Sequence, residues 1–181
     1  MMSVSRDAAR FLAPDMMGSP DLCVSATAHV RINAPVDEVY DWFCGLDISR
    51  VLNGYGPLPG VERTTDQTGS WTTPRETRKL EMSGNIRARQ EILIAERPFF
   101  FAYRVREFTH ILNLMAYGAE ARWWFESAGD GGMTLTWTYT FWPRSFVGKL
   151  GIYPVIKTIW HRYMVVTIRA MRDLAEQEIH N

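Results

Sequence analysis

From Val24 to Ile32 the chain alternates: Val24, Ala26, Ala28, Val30 and Ile32 share one parity, and Ser25, Thr27, His29 and Arg31 the other. Period two with branched residues on one side predicts a half-buried strand. The alternation stops at Asn33-Ala34-Pro35, where a short helix is expected to start. Pro35 has φ preset for a first turn, and Asp37 and Glu38 suit the positive end of the helix dipole. Val36, Val39, Tyr40 and Phe43 form its apolar stripe, and Gly45 ends it. A second short helix is expected over 48–52, then a Gly/Pro loop around Tyr55.

Six more strands are expected, over 61–66, 75–82, 86–96, 99–108, 119–127 and 133–141. Ser83-Gly84-Asn85 and Gly129-Asp130-Gly131-Gly132 supply hairpin turns. The last strand is the cleanest: Met133, Leu135, Trp137, Tyr139 and Phe141 alternate with Thr134, Thr136, Thr138 and Thr140. The one before it sets Ala119, Ala121, Trp123 and Phe125 against Glu120, Arg122, Trp124 and Glu126. One apolar and one wet face mean an antiparallel sheet. After Pro143 the period becomes helical to about Ile179, with Pro154 expected to kink or break the segment.

The order strand, two short helices, six strands, long helix predicts an α+β domain. Only the terminal helix is long enough to cover the apolar face of seven strands, and a strongly twisted sheet curls around it. Where side chains do not meet, a cavity remains. Residues 1–21, punctuated by Pro14, Gly18 and Pro20, read as a tail, and residues 22–181 as the domain.

Composition narrows the function classes. Net charge is zero and no like-charge block occurs, so the footprint of a nucleic-acid binder is missing. No apolar run approaches the roughly 20 residues that span a bilayer, and the N-terminus lacks the order of a secretory signal, so a cytoplasmic protein is expected. Cys23 and Cys44 read as buried thiols, with a disulfide between them as the alternative. The four His residues show no zinc-type spacing, and neither a phosphate-cradling loop nor a nucleophile signature occurs, so no metal or other cofactor is expected. An aromatic share of 13%, including seven Trp, suits a site for a greasy ligand as well as a core.

Four stretches in this order carry a family resemblance: His29 to Phe43, Thr77-Arg78-Lys79-Leu80 through the Ser83-Gly84-Asn85 hairpin, Arg97-Pro98 through Phe101-Ala102-Tyr103-Arg104-Val105, and Gly131 through Tyr139. Over roughly residues 24–175 the chain resembles the START-like or SRPBCC superfamily, and within it the polyketide cyclase/dehydrase-like branch. The resemblance implies a helix-grip fold. Its members bind lipids, sterols, hormones or polyketides, some cyclise or dehydrate polyketides, and others partner chaperones. Gln90 stands where many relatives carry an acidic residue, which puts an acid's catalytic role at that position in doubt.

Strand parity sends Arg78, Gln90, Tyr103, Glu107, Trp123, Trp137 and Tyr139 inward. A buried guanidinium or amide needs partners, so Arg78 and Gln90 either satisfy each other or await the polar end of a ligand. Tyr55 in the loop, and Trp160, His161 and Met164 on the long helix, complete the candidate ligand-binding set, beside a structural reading of each as core or surface. Glu107 and His110, near a strand end, are the candidate acid/base pair, set against a plain strand-end surface pair. The leading expectation is a carrier or sequestering protein for a small hydrophobic molecule. The rival is a polyketide cyclase or dehydratase. A third reading, a protein-interaction module, has only the outward Trp124 and Phe100 behind it.

Overall fold

A computed structural model describes residues 22–109 and 116–180 of the chain. β1 (Val24–Ile32) leads into α1 (Val36–Gly45) and a 3-10 turn (Ile48–Arg50). Then come β2 (Val61–Thr65), β3 (Thr77–Met82), β4 (Ile86–Glu96), β5 (Phe100–Arg106), β6 (Ala116–Ser127) and β7 (Met133–Pro143). The chain closes with α2 (Phe146–Val155), a π turn (Ile156–Trp160) and α3 (His161–Ile179). The expected tail, and the candidate His110, lie outside the described residues.

All seven strands form one antiparallel sheet in the order β1-β7-β6-β5-β4-β3-β2. Hairpin chemistry sets much of this order. Gly84 and Asn85 both have positive φ (76° and 58°), the requirement of a tight β3–β4 turn whose twist matches its strands. Asp130 accepts the Gly132 amide at 3.2 Å in the β6–β7 turn. Register shifts in β2, β4 and β6 bend the ribbon. The concave face carries the apolar parity: Leu135, Ile32 and Ala121 are fully buried, while Thr134, Thr136 and Thr138 are only half-buried. This is a helix-grip fold: the curved sheet closes around the C-terminal helix.

Packing of α3 follows its stripe. Met164, Ile168, Met171 and Ala175 are buried among the sheet residues, and Arg162, Arg169 and Asp173 face water. Polar ties hold the far end of the helix. Glu176 accepts the Asn33 amide (2.7 Å), and Glu178 accepts from Trp42 Nε1 (2.8 Å) and pairs with Arg50 (2.6 Å). On the opposite flank of α1, Arg97 donates to both carboxylate oxygens of Asp41 at 2.6 Å. Phe43 packs on Phe101 and Phe125 edge-on and on Trp123 at 4.9 Å, which seals one end of the sheet.

Four expectations need correction. Glu107 is exposed, not inward. β5 stops at Arg106, and Glu107 takes a left-handed backbone (φ 57°), which advances the alternation by one and hands the inward slot to Phe108. Phe100 does lie on the outer side, but Trp124 covers it at 5.4 Å and it is buried. β6 begins at Ala116 instead of 119, because the bulge between Ala116 and Gly118 masks the alternation. Pro154 does not break the C-terminal segment. The π turn that follows it keeps the helical path continuous, and Thr158 Oγ1 donates to the Pro154 carbonyl at 2.6 Å.

Candidate functional site

Two neighbouring hollows lie between the sheet and the C-terminal helix. The outer one, about 100 Å³, is walled by Ala88, Val105, Tyr139 and Phe141 from the sheet and by Ile152, Ile156, Trp160 and Tyr163 from the helix. Its rim is the half-exposed Leu58, Pro59, Met82 and Ile86 with the more exposed Val155. The inner one, about 20 Å³, lies among Phe43, Val51, Trp71, Arg78, Trp123, Thr167 and Met171. Leu52, Tyr103 and Trp137 line both and stand between them as a waist that a ligand spanning the two has to pass. A hollow of about 150 Å³ lined by apolar side chains admits a benzene-sized molecule, and about 10–15 Å³ suffices for a single water. The outer hollow is smaller than that but partly open at its rim, so a single ring fits with one edge at the mouth, and the inner one takes a compact polar head.

The inner end is polar. Arg78 and Gln90 face each other across the β3–β4 register, and Arg78 Nε donates to Gln90 Oε1 at 2.7 Å. The guanidinium lies 3.9 Å from the centroid of the Trp71 ring. Among the described residues no carboxylate pairs with it. Burial pushes its pKa down to about 10, against a smaller upward pull from Tyr103 and Asp47. It stays charged near neutral pH and is only 4% exposed. Two further polar groups on this wall have no protein partner, the Trp137 indole N–H and the Thr167 hydroxyl, while the Trp123 indole N–H is directed at the Tyr103 hydroxyl. Buried polar groups are normally satisfied, so two unpartnered donors beside a guanidinium that no carboxylate neutralises are unusual around one small hollow.

The phenols do not help proton transfer. Burial raises the pKa of Tyr103 to about 12, and burial likewise raises those of Tyr139 and Tyr163. Among the described residues no carboxylate or imidazole lines either hollow.

Seven of the sequence candidates meet here. Arg78 and Trp123 line the inner hollow, Gln90, Tyr139 and Trp160 the outer, and Tyr103 and Trp137 both. Trp123 and Trp137 stack at 4.5 Å with planes 8° apart, and Tyr139 meets Trp160 at 4.8 Å. The other candidates lie elsewhere. Tyr55 pairs with Leu58 through its backbone behind the rim, and His161 is half-exposed on the helix. Met164 is wholly buried in the core and borders neither hollow. Glu107 sits on the outer face among Arg89, Glu91, Arg104 and Arg106. Parity missed Trp71, because it comes from an irregular loop at φ 63°; a large aromatic alone among Gly, Ser and Thr is the one sequence signal for it, and parity does not use it.

Many solved structures share the fold at low identity, among them the following three. Norcoclaurine synthase from Thalictrum flavum, a point mutant in complex with a transition-state analogue, matches with a TM-score of 0.65 at 12% identity, over 86% of this chain and 96% of that one. Zhui aromatase/cyclase from Streptomyces sp. R1128 matches at 0.64 and 16%, over 87% and 96%. Major latex-like protein 151 from Panax ginseng matches at 0.63 and 12%, over 84% and 97%. No curated protein sequence matches the chain. The family model described as polyketide cyclase / dehydrase and lipid transport matches residues 24–176, nearly the whole described domain, and the chain belongs to that SRPBCC-type family.

Proposed function

We propose that the protein binds a small ligand with an apolar body and a compact oxygen-bearing head, of which a carboxylate is the best fit. The observation that carries this reading is the buried Arg78 guanidinium, unpaired by any carboxylate among the described residues, in a small hollow beside a largely apolar one. Burying a cation without an anion is costly, and a ligand carboxylate is what offsets it. Trp137 and Thr167 add donors for the same head, and Gln90 holds the guanidinium in place. The apolar body lies against Tyr139, Trp160 and Ile156, where affinity comes from apolar area removed from water at about 25 cal/mol per Å².

Binding is favoured over catalysis. Glu107 points away from the cavity, and the groups that do line it are phenols, a guanidinium and an amide. None of these is a base near neutral pH. Solvent extraction of the purified protein followed by mass spectrometry tests the reading. An amphiphile with an acidic or carbonyl head is expected. Only neutral hydrocarbon-like lipids, or a protein that takes up no small aromatic acid, would count against it.

A further inference from the structure

α2 is apolar on both sides. One side, Ile152 with Ile156 just beyond, is buried against the cavity. On the other, Phe146 (63%), Val147 (77%), Leu150 (60%) and Tyr153 (49%) stand in water. Positions 146, 150 and 153 fall on one helical stripe, so this is a continuous face and not scattered exposure. A soluble surface rarely leaves such a patch uncovered without use.

The charge around it is one-sided. From Met133 through Arg172 the sequence holds no Asp or Glu and six Lys or Arg. Arg144, which stacks over the exposed Tyr117 ring at 4.4 Å, precedes the stripe; Lys149 lies within it; and Lys157 follows it, 5.8 Å from the Tyr153 ring. Apolar side chains flanked by cations are the recipe for resting in the interface of an anionic bilayer. A second copy of the chain fits poorly, because a two-fold contact would set these cations against themselves.

The geometry points to α2 as the face by which the protein docks on an anionic membrane surface. Val155, at the end of the same helix, is part of the cavity rim, so docking brings the mouth to the lipid and lets an apolar ligand pass without crossing water. The docking does not depend on the Arg78 reading, since it is measured without added ligand.

Co-sedimentation with vesicles tests it. The protein is expected to bind phosphatidylcholine vesicles containing phosphatidylglycerol and to bind phosphatidylcholine alone much more weakly. Lys149→Gln should lower the partition coefficient about fivefold, the effect of one basic residue at such a surface. Phe146→Ser with Leu150→Ser should lower it about tenfold or more. Thermal unfolding confirms that each variant is folded, and both should still bind benzoate in solution as the parent does. Equal binding to both vesicle types, folded variants that bind as the parent does, or a dimer in light scattering that the Ser variant dissociates would each overturn the proposal.

Discussion

Replacing Arg78 by Met separates the site's role in folding from its role in binding. Methionine keeps an apolar stem of similar reach and removes the charge. In the folded chain, the drop of the Arg78 pKa to about 10 reflects a penalty on the order of 3 kcal/mol against the charged group, most of it from burial. Removing the charge relieves that cost. It also leaves Gln90 Oε1 buried without its 2.7 Å donor, at about 1–3 kcal/mol. The two effects nearly cancel, so the urea midpoint of Arg78→Met should match the parent's to within about 2 kcal/mol of stability. Ligand binding should behave otherwise. Benzoate and toluene share a ring and differ in the head. A hydrogen bond to a charged group contributes about 1.5–3 kcal/mol, so the variant should bind benzoate roughly 10- to 150-fold more weakly. Toluene affinity should change by about twofold at most, because it makes no such bond. Quenching of the stacked Trp123 and Trp137 gives the readout for both probes. If benzoate binds the variant as well as the parent, or if toluene loses as much as benzoate, Arg78 does not hold the ligand head.

Other consequences can be checked with ordinary variants. Ala88 lines the outer hollow and is buried, so Ala88→Leu should fill it and abolish toluene binding, with a melting temperature at or above the parent's. Gly118 lies where an added Cβ would come within 2.7 Å of the Val105 carbonyl, so Gly118→Ala should cost about 1–3 kcal/mol in chemical denaturation. Glu178 is held below the usual carboxylate range by the hydrogen bond from Arg50 and then that from Trp42, and Arg97 does the same for Asp41. A depressed folded pKa stabilises above the unfolded value of about 4 and loses that effect as the pH falls through the folded one. Urea midpoints should therefore drop in acid below about pH 4, and Glu178→Gln should make that drop shallower; an identical acid limb in the variant would refute the assignment.

Regular elements were legible in the sequence because each has one wet and one dry side. Met133 to Phe141 could be oriented residue by residue, and Arg78 with Gln90 stood out as polar groups at apolar parity. What parity could not reach is where the chain leaves its period. The left-handed Glu107 exchanged places with Phe108, and the bulge at the start of β6 hid three strand residues. Leu52, Leu58, Pro59 and Trp71 line the hollows from irregular segments, whose side-chain directions depend on tertiary contacts and not on spacing. His161 shows the same limit on a helix: one position from Trp160 is about 100° of rotation, enough to move a side chain from the cavity to the flank.

The waist formed by Leu52, Tyr103 and Trp137 acts as a gauge. Whatever reaches the guanidinium must pass its leading atoms between a phenol, an indole and an aliphatic tip, so slender molecules are sorted from branched ones by girth near one end. Total bulk matters less, because the far portion of a guest remains near the rim, where the walls are partly open.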